Sequence, residues 1–126
     1  MINNNRFTQG DIWLANLNPS KKTEPGKIRP VLIIQSQFLL DVGHSTTIII
    51  PLTTNLIEDA EPLRIRIPAE ERLQHNSDLL IDQVRAIDNS RLIEGPLLNI
   101  GASRLQFVIH SLHQLFTLPS IIKEEI

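Results

Sequence analysis

The residue whose type and setting most call for a chemical explanation is Arg29, in the run PGKIRPVLIIQ over residues 25–35. A Pro-Gly pair closes a loop, Lys27 sits at its exit, and Pro30 forces Arg29 into extended geometry. The unbroken run Val31-Leu32-Ile33-Ile34 reads as a strand buried on both faces. A permanently charged guanidinium is thereby held at the lip of a core strand, where its planar fork suits two phosphate oxygens at once. The alternative is an ion pair with Asp11 or Asp82. Lys21, Lys22, Lys27 and Arg29 fall within nine residues and form a local cationic patch. Thr53, Thr54 and Asn55 follow a second apolar run. A threonine hydroxyl there can donate to a phosphate oxygen without adding charge, or bond its own backbone. Arg64, Arg66 and Arg85 either track a nucleic-acid backbone or are solvated strand arginines. His110 and His113 stand three apart with no third ligand evident, so no metal is assigned.

These groups need elements to hold them. Residues 10–17 read as a first strand, with Trp13 sharing a face with Asp11, Ala15 and Leu17 while Ile12 and Leu14 take the other. Residues 29–35 form the second strand, 36–44 an excursion or short helical turn, and 46–52 a third strand. Residues 62–68 alternate, with Leu63, Ile65 and Ile67 inward and both arginines outward, and flanking prolines mark an edge. Residues 79–87 form a further strand, 90–95 a turn with a helical twist. Ser103 opens an amphipathic helix carrying Leu105, Val108, Ile109, Leu112, Leu115 and Phe116, which Pro119 stops. Five short strands and one helix place the chain in the α+β, mainly β class, as a small curled antiparallel sheet, barrel-like, with the C-terminal helix packed on it.

With 126 residues the chain fits one domain over 1–126, its core at about 8–118. A net charge of −2 argues against a general nucleic-acid coat, so any such contact is local. The absence of cysteine removes disulfides, thiolate metal sites and a cysteine nucleophile, and suits a cytoplasmic location. No signal-peptide core is seen at the N-terminus, and no run approaches the ~18 apolar residues of a membrane span.

Four segments in order, GDIWLANLNP, TEPGKIRPVLIIQ, IIIPLTT and LLIDQVRAIDNSRL, resemble the MazF/PemK (Kid) family of toxin endoribonucleases of type II toxin–antitoxin systems. The resemblance implies an SH3-like barrel, a homodimer, and cleavage of single-stranded messenger RNA without cofactor or metal. In that reaction the 2′-hydroxyl attacks the adjacent phosphate, leaving a 2′,3′-cyclic phosphate and a 5′-hydroxyl. It also implies an antitoxin that occupies the RNA site. Arg29 matches the family's catalytic arginine and Thr53 the hydroxyl residue beside it. Asp82 and Gln83 match a pair in which the aspartate is a candidate base and the glutamine lies on the RNA path. Asp82 as a buried partner of Arg29 or Arg85 is the other reading. Thr23 and Glu24 match substrate-side loop positions, and Lys21, Lys22, Lys27, Thr54 and Arg85 complete the expected RNA contacts. A histidine that some members carry in the loop is replaced here by Ser20-Lys21-Lys22, which leaves the base unassigned. The competing readings are a CcdB-like gyrase-binding toxin, whose tryptophan-bearing end this chain lacks, and an inactive antitoxin-binding module.

Overall fold

The alternating and continuous apolar runs become seven antiparallel strands and two α-helices in a computed structural model, which describes residues 7–19, 22–23 and 27–117. The strands are β1 (Asp11–Asn16), β2 (Ile28–Ile33), β3 (Thr46–Thr53), β4 (Arg64–Ile67), β5 (Ser77–Leu80), β6 (Arg85–Asp88) and β7 (Leu92–Asn99). The helices are α1 (Gln37–Asp41) and α2 (Gly101–Gln114). The sheet runs β4-β5-β3-β2-β1-β7, with β6 paired to β3. It curls without closing. Between the outer strands β4 and β7, the Arg72 N–H donates to the Leu97 carbonyl at 3.0 Å.

The curl gives two cores, one on each face. Ile12, Leu32, Ile50, Leu52, Ile65 and Leu79 lie on one face under α2, which contributes Leu105, Val108 and Leu112, followed by its C-cap Leu115. Trp13, Ala15, Val31, Ile33, Ile49 and Ile87 lie on the other, with Leu40 of α1 and Leu92 of β7. Both faces of β2 are therefore covered, and Val31, Leu32 and Ile33 are all 0% exposed, which is why that run carries no alternation. Trp13 packs edge-on to Phe7 at 4.9 Å between ring centroids. A Cβ at Gly95 would stand 2.5 Å from Trp13 Cδ2, so only glycine lets β7 pass over the indole.

Several expectations are corrected. Residues 79–87 are not one strand: β5 ends at Leu80, Ile81–Gln83 form a 3-10 turn, and β6 follows. Residues 92–95, read as a turn, belong to β7, which pairs with β1 through register shifts beside Ile12 and Leu14. Leu63 precedes β4 and is exposed, as are Ile109 of α2 and Phe116 just beyond it, whereas Ile65 and Ile67 are buried. The helix starts two residues before Ser103, at Gly101. Pro119, its expected stop, lies outside the described residues.

Candidate active site

Strand register brings Arg29 and Thr53 together. Val31 faces Pro51 and Ile33 faces Ile49 across β2 and β3, and Arg29 and Thr53 lie two residues beyond the first of these pairs, with Arg29 Nη1 donating to the Leu52 carbonyl. Directly opposed residues project to one face of an antiparallel sheet. Beyond Thr53 the row continues through Asp78 of β5 to Arg66 of β4. Arg85 faces Ile49 across β6 and β3, so it lies on this same face. A polar strip thus extends one of the two apolar cores to the end of the sheet.

Arg29 is half-buried, and its Nη1 donates to the Leu52 carbonyl at 3.2 Å. Burial draws its pKa below the ordinary guanidinium value, which leaves it charged at any pH near neutrality. Asp11 is committed to the start of β1: Oδ2 accepts from the Thr8 N–H and Trp13 Nε1, and Oδ1 from Asn99 Nδ2. Asp82 is exposed on the 3-10 turn, so the expected buried counter-ion is not this residue. Thr53 Oγ1 accepts from the Asn55 N–H at 3.1 Å. The local bond occupies a lone pair only, and the hydroxyl proton stays available to a phosphate oxygen.

The approach to Arg29 is pinned. Lys27 is exposed with φ 67°, a left-handed conformation costing about 1 kcal/mol or more outside glycine. Asn18 Oδ1 accepts from its N–H at 2.7 Å, and its carbonyl accepts from the Leu17 N–H at 2.8 Å. Lys22 and Thr23 are exposed in a turn, while Lys21 and Glu24 lie outside the described residues. Gln83 and Arg85 are half-buried. Thr54 is exposed and lines a cleft of about 560 Å³ with Leu14, Pro30, Leu73, His75 and Leu97. Leu14 and Leu97 place that cleft on the α2 side of the sheet, away from the polar strip.

The carboxylate that sequence reasoning missed is Asp78, 1% exposed. It pairs with Arg66 Nε and with Arg64 Nη1, the latter at 3.3 Å, and accepts from the Ile57 N–H at 3.0 Å. Arg66 also pairs with Glu58 at 2.7 Å. Arg64 and Arg66 are therefore neutralised within the protein rather than presented to a polyanion. Their alternation on one strand face reads equally as two solvated charges, and only the pairing of β4 on β5 brings Asp78 to them.

Residues 8–116 match the family model described as the PemK-like, MazF-like toxin of type II toxin–antitoxin systems. The chain belongs to this family. The Endoribonuclease MazF of Staphylococcus saprophyticus is 38% identical over 90 residues, spanning 68% of this chain and 72% of that protein. A crystal structure of MazF from Deinococcus radiodurans superposes with a TM-score of 0.71 at 22% identity, covering 86% of this chain and 94% of that one. An endoribonuclease in complex with its cognate antitoxin, from a mycobacterial species, gives a TM-score of 0.65 at 15% identity over 91% of this chain and 97% of that one. The solved structures bear on the fold, and the MazF-like architecture is the one described here. These relatives do not favour a gyrase-binding or inactive reading over the MazF/PemK assignment. Among the described residues, no helix is long and apolar enough to cross a membrane.

Proposed function

We propose that the protein is the endoribonuclease toxin of its pair, cleaving single-stranded messenger RNA without a metal ion. The observation that carries this reading is half-buried Arg29 of β2 beside the end of β3, its Nη1 donating to the carbonyl of Leu52 directly before Thr53. Lys22 and Lys27 stand exposed on the chain leading to that corner. The ribose 2′-oxygen attacks phosphorus, the bond to the 5′-oxygen breaks, and a 2′,3′-cyclic phosphate and a 5′-hydroxyl result. Arg29 balances the extra charge on the non-bridging oxygens, and Thr53 donates to one of them. Asp82 takes the 2′-hydroxyl proton, since its exposure on the turn after β5 leaves it accessible, whereas Asp78 is consumed by two arginines, and the leaving 5′-oxygen takes its proton from solvent water. Gln83 and Arg85, on and after the same turn, and Thr23, Glu24 and the loop lysines contact the flanking nucleotides. Thr54, facing the α2-side cleft, reaches RNA only if the RNA strand wraps past the end of β3.

Incubation of purified protein with a long RNA in EDTA should yield fragments with 5′-hydroxyl and 2′,3′-cyclic phosphate ends. Fragments with 5′-phosphate ends, or a strict need for a divalent cation, would overturn the mechanism.

The partners in this reading are an antitoxin that covers the Arg29 corner and a second copy of the chain. Support for self-association comes from apolar side chains left outside both cores, among them Phe107, Ile109 and Phe116 of the C-terminal region. Light scattering at micromolar concentration should return twice the chain mass, and a monomer would remove the homodimer.

A further inference from the structure

We propose that Asp78 is a positioning residue for RNA cleavage, acting through the segment that follows Thr53 to hold the threonine hydroxyl on the scissile phosphate. The inference rests on the reading of Arg29 and Thr53 given above. Residues 54–63 join β3 to β4 and carry Thr54 and Asn55 directly beside the proposed catalytic threonine. Exposed for most of its length, this segment depends on cross-links to the β4–β5 hairpin for its position.

Those cross-links converge on Asp78. Its Oδ2 accepts the Ile57 N–H at 3.0 Å, a direct tether on the segment's backbone. Arg64 Nη1 bridges the same oxygen, at 3.3 Å, and the Asn55 carbonyl, at 2.8 Å. Arg66 Nε donates to Oδ1 while Nη2 reaches Glu58 at 2.7 Å. Asn55 in turn donates its N–H to Thr53 Oγ1 at 3.1 Å. A continuous path therefore runs from the buried carboxylate through Arg64 and Asn55 to the threonine oxygen, and Asp78 is also the register neighbour of Thr53 across β3 and β5. Without the charge at Asp78, Arg64 and Arg66 can turn to solvent, since they are already 19% and 35% exposed. The Asn55 carbonyl then loses its donor, and the local bond that orients the Thr53 hydroxyl is no longer held. A displacement of about 1 Å at a reacting group is enough for roughly a hundredfold loss of rate.

The test is a double-mutant cycle read in kcat and KM on a short single-stranded RNA. It compares wild type, Asp78→Asn, Thr53→Val and the double variant, each verified as folded by circular dichroism at the assay temperature. Asp78→Asn should lower kcat by about 30-fold with KM within about threefold, a loss expected of misplacement rather than weaker binding. The double variant should be no slower than Thr53→Val alone, because a group that acts only through the threonine has nothing left to position. A folded Asp78→Asn at wild-type kcat, or losses that multiply in the double variant, would overturn the proposal. If Asp78→Asn fails to fold, Arg64→Gln replaces it in the same cycle, since it cuts the bridge to Asn55 and leaves the Arg66–Asp78 pair in place. Arg29→Gln is run alongside. Wild-type cleavage by Arg29→Gln and Thr53→Val would remove the underlying reading of the site, whereas their loss with Asp78→Asn unaffected removes only the role of Asp78.

Discussion

Arg29→Ala is expected to lower RNA cleavage by about 10³-fold while leaving the protein folded. The phosphorus passes through a geometry with more negative charge than the starting phosphodiester, and only donors fixed beforehand stabilise it without reorganisation. Arg29 is fixed in two ways: Pro30 and the β2 pairing set its backbone, and the bond to the Leu52 carbonyl at 3.2 Å sets its guanidinium. Its contribution to folding is smaller by comparison, because the side chain is half-buried and that charge-assisted bond is worth about 2 kcal/mol. Arg29→Lys should recover part of the rate, since it restores charge without the two-pronged fork. Initial rates on a labelled oligonucleotide, read beside thermal melts of the same preparations, give the comparison, and expression of Arg29→Ala in a growing host should no longer arrest growth. A folded Arg29→Ala within tenfold of the wild-type rate would show that another group balances the phosphate charge.

Arg29 and Thr53 stand out in the sequence as candidates because each flanks an apolar run, and strand ends can be read from local pattern. The approach of those two ends follows from the pairing of β2 on β3, which the hydrophobic run alone does not set. Asp78 was not legible for the same reason. It stands one residue before the expected start of the strand at Leu79, and its two arginines are 12 and 14 positions away. Only the antiparallel pairing of β4 on β5 turns Arg64 and Arg66 from outward charges into partners of one buried carboxylate. β7 was obscured by its own composition, since Glu94, Gly95 and Pro96 read as turn residues. In the folded chain Gly95 is required by the indole of Trp13, and Glu94 pairs with Arg72 at 2.8 Å. For Asp82 the sequence left a candidate base and a buried ion-pair partner both open, and the break into a 3-10 turn leaves the side chain exposed.

Asp78→Asn is expected to destabilise the fold by about 3 kcal/mol at neutral pH, a fall of roughly 10 °C in Tm for a chain of this size. The carboxylate is buried between two guanidiniums, and an amide retains its volume but offers no charge to either. The pH dependence isolates that charge. Burial works to raise the Asp78 pKa, but the hydrogen bonds from Arg66, the Ile57 N–H and Arg64 outweigh it, and the net direction is downward. A carboxyl whose folded pKa lies below the unfolded value of about 3.9 binds its proton more readily when unfolded. Its stabilisation is therefore complete above about pH 4 and is lost as the pH falls through the lowered folded value. Asparagine does not titrate, so the Tm difference between wild type and Asp78→Asn should be constant from pH 7 to about 5 and narrow steadily below pH 4. Every other carboxylate is common to both proteins and cancels in that difference. A gap that persists unchanged at pH 2–3 would mean that the shape of the side chain, not its charge, holds the β4–β5 hairpin to the segment after Thr53.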